Sequence, residues 1–181
     1  MLRKDFIKKT GTMKRRNFLI LGSAFGLFTY LKLKKSDDFE VAFKKVKPTI
    51  EAVQEHLFPQ NSKFPSADSM LVSLFLFEAM SHPSFDKDIR TFVLEGANEL
   101  EKRHHNSFTT LSAKEKEIAL RAYEETSYGS AWLSQMMTLT LEALFSDPIY
   151  GVNKNDKYWE VVGAYGGIPR PKQRYIGMLN V

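Results

Sequence analysis

Residues 147–171 read DPIYGVNKNDKYWEVVGAYGGIPRP, and this stretch divides the chain into a helical body and a segment that follows other rules. Four of the ten glycines (Gly151, Gly163, Gly166, Gly167) and three of the seven prolines (Pro148, Pro169, Pro171) fall within it, among Tyr150, Tyr158, Trp159 and Tyr165. Glycine and proline at this density interrupt any helix or strand. Aromatics at this density argue against disorder, because segments that stay unfolded are poor in them. The stretch therefore reads as an ordered, irregular C-terminal segment. Its aromatics either pack down on their own domain or face a partner, and periodicity leaves both open.

Everything upstream of Pro148 has helical spacing. Trp132, Leu133, Met136, Met137, Thr140, Leu141, Leu144 and Phe145 form a broad apolar stripe, with Tyr128-Gly129 as the break before it. Ser112 followed by Glu115 is a capping box that starts a helix running to about Glu125. A further helix runs from Phe85 to about Arg103, and its Gly96 predicts a close helix–helix approach, since a helical glycine otherwise costs about 1 kcal/mol relative to alanine. Pro65-Ser66-Ala67-Asp68 opens a helix that is apolar around most of its circumference (Met70, Leu71, Leu74, Phe75, Leu76, Phe77), the pattern of a central element. Pro48 at a first helical turn, with Ile50, Val53 and Leu57, predicts a short helix that ends at Pro59. No alternating β-branched runs separate these elements. The expected fold is all-α, an irregular bundle of about five helices with the long ordered segment at its end; residues 48–181 form the domain and 36–47 a charged linker.

The N-terminus reads as a targeting segment. Lys14-Arg15-Arg16 precede an apolar run from Phe18 to Leu31, closed by Lys32, Lys34 and Lys35. Fourteen residues at about 1.5 Å each fall short of the roughly 30 Å of a bilayer core, so the layout is that of a signal rather than a membrane span. Arg15, Arg16, Phe18 and Leu19 resemble the twin-arginine export signal, although Lys14 stands where that pattern has Ser or Thr and Ile20 where it has Lys. A general secretory signal and an uncleaved anchor are the alternatives. Residues 1–35 carry ten Lys/Arg against the single Asp5, which leaves sixteen basic and twenty acidic residues in the rest. The body is thus mildly acidic, and the high pI gives no support to a nucleic-acid surface. The absence of cysteine excludes disulfides, thiolate metal sites and a cysteine nucleophile.

No constellation in the body has the spacing that chemistry needs. Glu101 and His104 stand three apart, as in a carboxylate-bridged metal site, but the second such pair is missing. His104 and His105 fit a helix C-terminus, where positive charge is favourable. His56 and His82 have no ligand partner at metal spacing. Gly163, Gly166 and Gly167 lack the strand and helix that flank a dinucleotide loop. A catalytic, metal or cofactor site in this chain is not expected.

Three features together resemble the gluconate 2-dehydrogenase subunit 3 family: the twin-arginine-like leader; the helix end Glu55-His56-Leu57-Phe58-Pro59; and Asp147-Pro148-Ile149-Tyr150-Gly151-Val152-Asn153 followed by Trp159, Gly163, Gly167, Pro169 and Pro171. The family pattern is D-P-x-Y-G-G-N, so Val152 replaces a glycine. The resemblance covers residues 48–171. It implies a non-catalytic small subunit that binds no cofactor itself and accompanies an FAD-containing large dehydrogenase subunit of the glucose–methanol–choline type. Electrons would pass to a cytochrome c or to quinone. The folded pair would leave through the twin-arginine translocase on this leader and reside in the periplasm, tethered if the leader persists. The partner contact expected from the resemblance is Asp147, Pro148, Tyr150, Gly151, Asn153, Trp159, Tyr165, Gly167, Pro169 and Pro171, because aromatics on a stiffened segment bury area at low entropic cost. The competing class is a stand-alone, membrane-tethered helical protein that binds another envelope component; a small histidine enzyme is a third.

Overall fold

The computed structural model describes residues 36–61 and 63–174; the expected export signal (Arg15, Arg16, Phe18, Leu19) lies outside them. Among the described residues there are six α-helices and no strand, so the all-α expectation holds. The helices are α1 (Ser36–Leu57), α2 (Val72–Ser81), α3 (Lys87–Arg103), α4 (Ala113–Glu124), α5 (Ser127–Leu144) and the short α6 (Lys157–Val161).

Helix α1 begins at Ser36, so residues 36–47 are helix rather than linker, and Pro48 sits inside. Proline in a helix interior removes one hydrogen bond and crowds the carbonyl four residues back, at about 3 kcal/mol. Here Pro48 and Lys44 both lie on the exposed face, where water can take up the freed carbonyl. The opposite face carries Phe43, Val46, Ile50 and Val53, each at most 2% exposed. At roughly 1.5–3 kcal/mol for each buried large apolar side chain, this stripe outweighs the proline.

Helix α5, not α2, is the central element: it packs against α2, α3 and α4, with Trp132 and Met136 fully buried. Gly96 lets α3 approach it. A Cβ there would lie 2.0 Å from the Trp132 ring, the Trp132 indole N–H donates to the Val93 carbonyl at 3.1 Å, and the Tyr123 hydroxyl donates to the Gly96 carbonyl at 3.3 Å. The capping box of α4 forms as expected, Ser112 and Glu115 each bonding the other's backbone N–H. Tyr128 and Gly129 do not break the chain; they lie in the first turn of α5, which Thr126 caps, and Gly129 allows close packing on the Tyr123 carbonyl.

Helix α2 starts later than expected. Ala67 to Leu71 form turns, and Leu71 takes a left-handed conformation (φ 57°) ahead of the first helical residue. Leu71 and Leu74 stay half-exposed. The inward residues of α2 split between two cores. Leu76 and Met80 join the main core of α1, α3, α4 and α5, whereas Val72 and Phe75 join a second one with Ala67, Met70, Ala143, Leu144, Val152 and Tyr158. That second core is the floor beneath the C-terminal segment.

Candidate functional site

The C-terminal segment is built by a succession of backbone pins. After α5 ends, Asp147 accepts from the Ile149 backbone N–H at 2.9 Å, with Pro148 opening a single 3-10 turn, Pro148–Tyr150. Gly151 closes that turn at φ 84°, a conformation that suits glycine. Val152 is 1% exposed and packs in the second core, with an ordinary backbone and an inward side chain.

Asn153 organises the turn into the next helix. It is fully buried at φ 43°, donates to the Ser146 carbonyl at 3.2 Å and accepts from the Tyr158 N–H at 2.9 Å. Asn155 and Asp156 are left-handed too, a conformation that Asn and Asp tolerate better than other side chains. The chain is thereby turned into α6, which points Tyr158 and Trp159 inward. The Tyr158 hydroxyl donates to the Pro65 carbonyl at 2.7 Å, and burial, with Glu55 nearby, pushes its pKa up to about 12. The Trp159 indole N–H donates to the Phe145 carbonyl at 2.9 Å. Tyr150 lies edge-on to Phe75 of α2. Arg174 ties the end of the segment to Glu78 of α2 and donates to the Tyr150 carbonyl at 3.1 Å.

Arg170 closes the segment on itself. It donates to Asp147 at 2.8 Å and to Asp156 at 3.1 Å, and its guanidinium lies 4.7 Å from the Trp159 ring centroid. Both hydrogen bonds, the one to Asp156 first, raise its pKa. Burial pushes the Asp147 carboxyl up, but the hydrogen bonds from Arg170 and Ile149, with the Arg170 charge, outweigh it and hold the pKa below the usual value. Gly166 lies against the same indole, where a Cβ would be 2.3 Å from the six-membered ring. Residues 162–168 thus form a loop that touches Trp159 at Gly166 and exposes three large apolar side chains: Val162 is 51%, Tyr165 80% and Ile168 92% exposed.

The residues expected at a partner contact therefore separate. Asn153 and Trp159 are internal, Asp147 and Pro148 shape the base, and Tyr150 is half-buried beside α2. Tyr165 alone among the expected aromatics stands out in solvent, with Gly167 and Pro169 around it; Gly151 is exposed at the base and Pro171 half-buried. Sequence reasoning missed Arg170, Val162 and Ile168. A charged residue fixed between Pro169 and Pro171 was the available signal for the first.

The other titratable candidates are committed to the fold. Glu101 accepts from the Thr49 hydroxyl at 2.8 Å and from the Phe108 N–H at 3.3 Å, on the wall of a cleft of about 350 Å³ between α1 and α3. His56 pairs with Glu117 of α4 at 2.6 Å, and this hydrogen bond, ahead of that from Arg121, lowers the Glu117 pKa. His82 bonds the Ser84 hydroxyl at 2.6 Å. Among the described residues no group of three or more His, Asp or Glu is placed to hold a metal ion, and no helix is long and apolar enough to cross a membrane.

A family model described as gluconate 2-dehydrogenase subunit 3 matches residues 44–167, from the middle of α1 to Gly167 in the exposed loop. No curated protein and no solved structure matches the chain. The chain belongs to the gluconate 2-dehydrogenase subunit 3 family.

Proposed function

As a member of that family, the chain is a subunit by description, and we propose that it is the non-catalytic small subunit of a periplasmic, FAD-dependent sugar or sugar-acid dehydrogenase. In this reading a large subunit of the glucose–methanol–choline type holds the flavin and passes electrons to a cytochrome c or to quinone. This chain folds beside it, steadies it and supplies the twin-arginine leader for export of the pair.

The observation that carries the reading is the family match itself, which runs from the middle of α1 to Gly167. The geometry supports a structural role within it. Glu101, His56 and Asp147, side chains suited to acid–base or ligand chemistry, each bond a distant part of this fold, and His82 bonds Ser84 within its own turn. The Gly/Pro segment, by contrast, uses buried aromatics for its own rigidity and leaves three large apolar side chains, Val162, Tyr165 and Ile168, in water, which suits a docking element.

Deleting the chain from cells that carry the flavoprotein tests this. The expected result is loss of dehydrogenase activity from the periplasm, with the flavoprotein retained in the cytoplasm or degraded. A flavoprotein that reaches the periplasm fully active without it would refute the proposal and favour a stand-alone envelope binder.

A further inference from the structure

We infer that the tip of residues 162–168 is the knob by which this chain grips its large subunit, with Tyr165 and Ile168 entering an apolar pocket on that protein. The inference rests on the subunit reading and assigns its contact.

Isolated apolar residues on a surface need no explanation. Val41 and Ile118 are examples. The tip differs in two respects. Three large apolar side chains fall within seven residues, at 51%, 80% and 92% exposure. And the loop is tied to its base: Gly166 abuts the Trp159 ring, the Arg170 guanidinium lies over the same ring, and Asp147 and Asp156 fix Arg170. A mobile loop would lose conformational entropy on docking; this one is already ordered, which is the condition for a small contact to count in affinity.

A protein pocket suits the tip better than a lipid surface. Two side chains bury too little area to hold a chain stably on a membrane, whereas an aromatic and a branched aliphatic on a fixed scaffold match the anchor residues of protein interfaces. The family match ends at residue 167, so it takes in Val162 and Tyr165 and leaves Ile168 just outside.

The test is to co-express the tagged full-length chain with the flavoprotein subunit and to measure flavin recovered per small subunit. Tyr165→Ala combined with Ile168→Asp should lower recovery at least about tenfold, the effect of losing an interface anchor. The helical circular dichroism and Trp159 fluorescence should stay unchanged, because both positions are exposed. Ile118→Asp, at an exposed apolar residue on α4, should retain full recovery. Recovery by the double variant equal to wild type overturns the assignment. So does a homodimer, or binding to anionic phospholipid vesicles, that the double variant abolishes while flavoprotein recovery persists. If the wild-type chain itself recovers no flavin, the subunit reading falls and the knob with it; if only the variant comparison fails, the reading stands.

Discussion

The chain has two tryptophans, and the same device holds both in place. Trp132 has its indole N–H on the Val93 carbonyl and Gly96 against its ring; Trp159 has its indole N–H on the Phe145 carbonyl and Gly166 against its ring. What lies behind the ring differs. Trp132 is wedged between helices, 0% exposed, with Tyr123 and Met136 packed in the same core. Trp159 is 8% exposed under a loop closed by one exposed arginine on two aspartates. One glycine lets two helices meet; the other lets a loop lie on its own anchor. The bundle draws stability from interdigitated apolar surface, the loop its shape from a few polar bonds. The first arrangement resists change throughout, while the second can be altered at its tip without cost to the body.

Substitutions at matching places in the two regions should separate them. Gly96→Ala should cost the most, about 3 kcal/mol in urea denaturation, because the new methyl overlaps a tryptophan with no room to retreat. Asn153→Ala should come next at about 2 kcal/mol, since it leaves the buried Tyr158 N–H without an acceptor and puts alanine at a left-handed position. Gly166→Ala creates a similar overlap on Trp159, but the loop can lift, so the global cost should be about 1 kcal/mol or less. In a Trp132→Phe background, its main sign should be a red-shifted Trp159 emission. Equal costs at Gly96 and Gly166 would show that the loop is as rigidly backed as the bundle.

The smallest effect expected is that of pH. The pKa of Asp147 is depressed in the folded chain, so its pairing with Arg170 contributes fully above the unfolded value of about 4 and is lost as the pH falls through the lower folded value. Trp159 emission, read in the same Trp132→Phe background, should shift reversibly below about pH 4. Arg170→Ala should give the shifted signal at neutral pH and remove its acid dependence. A pH response unchanged by Arg170→Ala would place the acid-sensitive contact elsewhere.

The parts legible in the sequence were those that local chemistry determines. Ser112 and Glu115 cap a helix from positions three apart, and Gly96 stands inside a strong helical period where only close packing explains it. Pro48 misled because its local penalty was visible, whereas the compensating burial of Phe43 and Val46 depends on helices far along the chain. Tyr128-Gly129 misled for a related reason: the glycine serves contact with the Tyr123 carbonyl, and the actual break is Thr126, whose hydroxyl caps α5. In the C-terminal segment, order was legible from the aromatics, but which of them face inward was not. Asn153 and Trp159 are held inward by bonds to Ser146 and Phe145, while Ile168, two residues before the Arg170 that pairs with two aspartates, is exposed; no periodicity encodes either. The pairing of His56 with Glu117 likewise joins residues too distant in sequence to be matched by spacing.

The proposed function requires this chain to be half of a pair. Co-expressed with the flavoprotein and purified under native conditions, it should emerge from size-exclusion chromatography with light-scattering detection as a single species of the combined mass, with flavin absorbance across the peak. A peak at the 20.8 kDa of this chain alone, with the flavoprotein eluting separately and fully active, would contradict the account at its centre.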